Sequence, residues 1–124
     1  MRMMALNADY LCLYSVNVET GKIIDYAVQK EYDHCLPSQS GKDFFLFGKE
    51  KGKAFVYMED LPLYKQRFTR KTILEEIQEH GEFKLALRLI LTDTPRNATL
   101  KIVPLREDGI DKLFVVVRLW QERQ

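Results

Sequence analysis

The sequence has few of the residues that enzymes use for chemistry. It holds two histidines, His34 and His80, and two cysteines, Cys12 and Cys35. Nothing among them forms a Ser-His-Asp or Cys-His arrangement with supporting context. Asp33-His34-Cys35 is a single short cluster with no second pair at ligand spacing, so no metal site is read there. The cysteines lie 23 positions apart among apolar neighbours, and "MRMMAL" at the start lacks the apolar core of a signal peptide. Two reduced core thiols and a cytoplasmic location are therefore expected. No apolar run approaches the roughly 20 residues of a membrane span, so no direct membrane insertion is expected. Gly48 and Gly52 lack the spacing of a phosphate-binding loop. An excess of one charge is also missing: 19 basic residues face 18 acidic ones, which gives no overall attraction to nucleic acid or an anionic surface. The densest basic stretch, "YKQRFTRK", is followed at once by "EEIQE" and reads as a helix surface.

What is present is a folded chain of 124 residues with 46% hydrophobic content, enough for one core and too short for two. Tyr10 to Val18 and Lys22 to Val28 carry strand signals, and Glu19-Thr20-Gly21 fits a hairpin turn between them. "DHCLPSQSGKD" is a loop by composition. "KDFFLFGKE" is a short apolar segment that Gly48 is expected to end, "KGKAFVYMED" an extended piece, and "LPLYKQRF" a short helix capped by Asp60. The strongest helix follows, with Thr69 or Thr72 as N-cap, a stripe of Ile73, Leu74 and Ile77, and Gly81 as its stop. From Phe83 on the signal is strand. "FKLALRLILTD" puts Leu85, Leu87, Leu89 and Leu91 on one face against Lys84, Ala86 and Arg88. Pro95-Arg96-Asn97 is expected to turn the chain, Pro104 hints at an edge or bulge, and Asp108-Gly109 marks a hairpin. The order β-β-helices-β-β-β predicts an α+β fold, with an antiparallel sheet and its helices gathered in mid-sequence.

Phe44, Phe45, Phe47, Phe55 and Tyr57 cluster in the short-helix region, where they could line a cavity or fill the core. Arg88 stands in an apolar strand and could meet an anionic ligand, pair with a carboxylate or reach solvent. Glu59-Asp60 reads as helix capping, because adjacent residues do not face each other for acid-base work. His80 reads as a helix-end residue. No catalytic residue is assigned. The candidate ligand contacts are Tyr26, Phe45, Phe55, Leu87 and Arg88.

The first and last strands are apolar on both parities. Tyr10, Cys12, Tyr14, Val16 and Val18 oppose Leu11 and Leu13; Val115 and Val117 oppose Phe114, Val116 and Trp120. A sheet with one covered face should alternate more cleanly. A flanking helix or a second subunit is expected over the other face, with Leu11, Leu13, Phe114, Val116 and Trp120 as candidate homodimer contacts. Residues 1–8 are read as an entering helix or N-terminal cap.

Taken together, "ALNADYLCLYSVNVETGKIIDYAVQKEY", "KDFF", "VYMEDLPLY" and "FTRKTILEEI" leading into the strand with Arg88 resemble a PAS domain. The likeness is closest to the variants ahead of GGDEF or histidine kinase modules in bacterial signalling proteins, and it spans nearly the whole chain. It implies a five-stranded antiparallel sheet, short helices between strands 2 and 3 over one face, a pocket beneath them, frequent dimers and a sensory or regulatory role. The output domain would lie in the same or a partner chain. The cofactor stays unknown. The flavin version uses an Asn-Cys-Arg type motif, whereas Cys35 stands in His-Cys-Leu. The haem version uses a histidine on the helix before the third strand, and His80 sits at the end of that helix, beside Gly81. The alternatives are a ligand-free dimerisation scaffold or a small α+β isomerase or hydratase.

Overall fold

The computed structural model describes residues 9–120, so the expected entering helix over residues 1–8 lies outside it. The chain forms five strands: β1 (Tyr10–Asn17), β2 (Ile23–Val28), β3 (Phe83–Ile90), β4 (Pro95–Glu107) and β5 (Ile110–Leu119). They make one antiparallel sheet in the order β2-β1-β5-β4-β3, which places the first and last strands side by side in its middle. Helices α1 (Phe44–Glu50), α2 (Leu61–Arg67) and α3 (Arg70–His80) lie between β2 and β3 in sequence, with single 3-10 turns at Gly52–Phe55 and Met58–Asp60.

Local chemistry explains most boundaries. Gly21 and Gly109 adopt positive φ (76° and 75°) at the β1–β2 and β4–β5 hairpins, and Asp108 precedes Gly109 at φ 52°. Thr69 caps α3, its hydroxyl oxygen accepting the Thr72 N–H at 3.1 Å, so the alternative cap at Thr72 is a helical residue instead. Gly81 closes α3 in the left-handed conformation, φ 83°. Ile73 is wholly buried as α3 crosses β3 and β4, a burial that contributes about 2 kcal/mol.

Three local expectations are corrected. Gly48 does not end the apolar segment but sits inside α1, which starts because the Asp43 carboxylate accepts the Leu46 N–H at 3.0 Å. "KGKAFVYMED" is not extended; it forms the two 3-10 turns, with Val56 alone bridging to Leu89 of β3. Pro95 opens β4 rather than turning the chain, and the reversal falls on residues 91–94. Pro104 lies where β4 runs past the last β3 pairing, at Ile102, so the amide hydrogen it lacks costs no second ladder.

Register fixes the two faces. Tyr14 pairs with Tyr26 and Val115, and Ile102 pairs with both Val115 and Phe83, so these side chains share the inward face under the helices. Leu13, Phe114, Val116, Val103 and Lys101 share the outward face. At the sheet's centre the described ends meet: the Leu119 N–H donates to the Asp9 carbonyl at 2.7 Å.

Candidate functional site

An apolar cavity of about 90 Å³ lies between the inward sheet face and the helices. Its sheet wall comes from Leu11, Cys12 and Tyr14 of β1, Leu87 and Leu89 of β3, and Val117 of β5. Its helix wall comes from Phe44, Phe47 and Gly48 of α1, with Tyr64 and Phe68 from the α2 side. Leu36 and Pro37 of the loop after β2 close one end.

Aromatic packing fixes the helix wall. Phe68 stacks on Tyr64 (5.1 Å between centroids, 15°), and Phe44 touches both Phe68 and Tyr14 at 5.7 Å. Gly48 makes this approach possible, since a Cβ there would stand 2.1 Å from the Phe68 ring. The polar atoms at the wall are already engaged. The Tyr14 hydroxyl donates to the Pro37 carbonyl at 2.7 Å, and the Tyr64 hydroxyl donates to the Gly48 carbonyl at 2.8 Å. Burial raises both phenols well above their ordinary pKa, the neighbouring Cys12 adding to the shift at Tyr14, so both stay neutral. Burial also pushes the Cys12 thiol up to about 12, against the opposing effect of its hydrogen bonding with Tyr14. The lining therefore offers no charge, no ready nucleophile and no free strong donor. Such a space suits hydrocarbon or aromatic groups and gives water no partners.

The sequence candidates separate. Phe55 and Leu87 line this cavity. Tyr26 packs half-buried against the core without reaching it, and Phe45 lies outside on the helix layer, under the Arg70 guanidinium at 5.7 Å. Arg88 does not line the cavity; of the three roles its strand context offered, pairing with a carboxylate is the one the structure shows. It stands on the outward parity of β3 at the sheet edge, where Asp60 takes it up. One Asp60 oxygen accepts the Arg88 backbone N–H at 2.8 Å and its Nε at 2.9 Å; the other accepts Nη2 at 2.7 Å. The guanidinium also lies 4.6 Å over the Tyr57 ring. The hydrogen bond from Arg88 holds the Asp60 carboxyl below its usual range, and Asp60 in turn raises the Arg88 pKa. Asp60 thus stands at the N-cap of α2 without capping it by its side chain. Cavity residues outside that candidate set include Cys12, Tyr14, Phe44, Phe47, Tyr64 and Phe68; Phe44 and Phe47 belong to the aromatic cluster that could line a cavity, Cys12 and Tyr14 carried a parity signal, and Tyr64 and Phe68 needed the helix layer's packing.

Leu11 is corrected as an outward contact. The β1–β5 register shifts between Tyr10 and Cys12, and Leu11 turns inward to the cavity wall, 1% exposed. Leu13, Phe114 and Val116 do lie on the outward face, partly exposed. Trp120 is 45% exposed but held against the sheet: its Nε1 donates to the Thr99 hydroxyl at 2.7 Å, and the Arg118 guanidinium lies 4.4 Å over its ring. Lys112, buried on this face, pairs with Glu107 at 3.0 Å. Asp33 and His34 are exposed, His80 lies outside the cavity, and among the described residues no three His, Cys, Asp or Glu side chains converge as metal ligands. Among the described residues no helix is long and apolar enough to cross a membrane.

No protein-family model and no curated protein matches the sequence. The fold does match solved structures. One is the N-terminal domain of a diguanylate cyclase with PAS/PAC sensor from Marinobacter aquaeolei, at TM-score 0.50 and 11% identity over 89% of this chain and 93% of that one. Another is a domain of a protein described as a light and redox sensing histidine kinase from Haloarcula marismortui, at TM-score 0.49 and 10% identity over 93% of each chain. The five-stranded sheet with its mid-sequence helices is therefore a PAS-like fold.

Proposed function

We propose that this chain is a cytoplasmic sensory module that admits a small apolar ligand beneath its helices and regulates a signalling output domain, of the diguanylate cyclase or histidine kinase kind, through a homodimer. The observation that carries this reading is the carbon-lined cavity, roofed by α1 and α2, whose phenols are tied to backbone carbonyls. The PAS-like fold supports it, because a neighbour of that fold is itself the N-terminal domain of a diguanylate cyclase. The outward residues Leu13, Phe114 and Val116 support association, and the two free thiols suit a reducing compartment. A ligand that prefers one packing of helices on sheet biases the output by shifting that equilibrium. No catalytic role is assigned to the chain, since the cavity presents no acid, base or activated nucleophile.

The competing reading is a ligand-free scaffold. It is favoured by the size of the space, about 90 Å³, against the roughly 150 Å³ of an engineered cavity that takes benzene. Thermal-shift titration with a panel of small hydrocarbons and aromatics separates the two. The sensory reading expects at least one compound to raise Tm in the wild type and to lose that effect in Leu100→Phe, which fills the space. A panel without effect, together with no retained compound by native mass spectrometry, overturns it. Light scattering showing a monomer at high concentration overturns the dimer.

A further inference from the structure

Outside the cavity, an open groove of about 580 Å³ runs between α1 and the α2–α3 junction. Phe45, Tyr64 and Phe68 lie along its base, and Leu46, 50% exposed, stands on its α1 side. Lys49, three residues after Leu46 in α1, and Lys53, in the 3-10 turn at Gly52–Phe55, line that side, and Lys65 and Arg70 line the opposite bank. From Lys42 to Lys71 there are eight basic residues against four acidic ones, in a chain that is otherwise acidic on balance. The fold thus gathers a local positive field that the near-neutral total conceals.

The charges in this groove are not equivalent. Asp43, the carboxylate in the lining, is occupied as the cap of α1. Arg70 lies on Phe45, and its Nη2 donates to the backbone carbonyls of Val18 and Glu19, which holds the guanidinium against the β1–β2 turn. Arg67 is paired with Glu76. Among the described residues Lys49, Lys53 and Lys65 have no acidic partner. Three unpaired ammonium groups around an apolar base call for a partner with carboxylates on its flanks and a hydrophobic side chain between them. They do not offer the free guanidinium forks that favour bidentate phosphate recognition.

We infer that this groove docks an acidic amphipathic segment of a partner protein, its apolar side chains against Leu46 and Phe45 and its carboxylates facing Lys49, Lys53 and Lys65. The binding mode is an amphipathic helix in a groove, with charge setting specificity and encounter rate. The site lies on the far side of the helix layer from the cavity, so it can fail while the ligand reading stands.

The test uses a fluorescein-labelled helical peptide with leucines on one face and glutamates on the other, followed by anisotropy with the whole chain. Saturable binding is expected, weakened about tenfold in Lys49→Glu/Lys53→Glu and again by raising salt from about 50 to about 300 mM. Amide shift perturbations should centre on Leu46, Lys49, Lys53 and Lys65. These lysines are exposed, so the variant should keep the wild-type Tm. The inference is overturned if the peptide does not bind, or if a glutamine-for-glutamate peptide binds equally. It is also overturned if charge reversal changes nothing, or if a single-stranded oligonucleotide or phosphatidylserine vesicles bind more tightly than the peptide.

Discussion

Replacing Gly48 with alanine sets two effects of opposite sign against each other. Alanine is favoured over glycine inside a helix by about 1 kcal/mol, so propensity alone calls for stabilisation. Packing opposes it. The new methyl would lie 2.1, 2.6 and 2.9 Å from three carbons of the Phe68 ring. That ring has little room to retreat, with Tyr64 stacked against it at 5.1 Å and Phe44 at 5.7 Å. Overpacking of a confined site costs about 1–3 kcal/mol, and lifting α1 to relieve it strains the Tyr64–Gly48 hydrogen bond, worth about 1 kcal/mol more. The clash should win by about 2 kcal/mol, a fall of about 8 °C in Tm at roughly 4 °C per kcal/mol for a domain of this size. Thermal melts by circular dichroism read this directly. In a Phe68→Leu background the obstructing ring carbons are gone, and Gly48→Ala should become neutral or stabilising, a coupling that a double-mutant cycle isolates. An unchanged or raised Tm in the single variant, or the same loss in both backgrounds, would refute the reasoning.

Three further outcomes can be checked. Because Arg88 depresses the Asp60 pKa in the folded state, the contribution of their pairing is present above the ordinary carboxylate pKa near 4 and is lost as pH falls through the lower folded value. The Tm gap between wild type and Asp60→Asn should therefore narrow as acid melts are taken from about pH 5 toward about pH 2, and a constant gap would remove that role. With Cys12 buried and its thiol pushed up to about 12, Ellman's reagent at neutral pH should label Cys35 alone until denaturant is added; rapid labelling of both thiols in native protein would contradict the packing. Leu87→Asp should abolish the cooperative melt, because Leu87 is 7% exposed on the cavity wall and an unpaired carboxylate there costs several kcal/mol.

The parts of the fold that could be read from sequence were those governed by neighbours a few residues apart. The β1–β2 and β4–β5 hairpins, the α3 stop at Gly81 and the alternation of Leu85 and Leu87 follow from backbone freedom and period-two burial. What escaped depends on distant partners. Gly48 reads as a stop unless Phe68, twenty positions on, is known to need its missing Cβ. Asp60 reads as a cap until β3 brings Arg88 across 28 residues to take its carboxylate. Leu11 has the parity of an outward residue, and only the register shift beside Cys12 turns it inward. The basic groove was hidden by the same logic, since "YKQRFTRK" spends Arg67 on Glu76 and ties Arg70 to backbone carbonyls and leaves Lys65 to join Lys49 of α1 and Lys53 of the next 3-10 turn.

The pairing of β1 with β5 has a mechanical side. These strands run antiparallel, and the Leu119 N–H to Asp9 carbonyl bond ties one end of the first to the adjoining end of the last. A pull that separates Asp9 from Trp120 acts across the strands and loads the ladder one hydrogen bond at a time, like a zipper, instead of shearing all its bonds together. The domain should yield to such a pull at low force, starting at Leu119 and progressing inward through the Cys12–Val117 pair. Because Val117 and Cys12 are also cavity walls, the first few bonds to part would open the apolar space from below while the helix roof stayed in place.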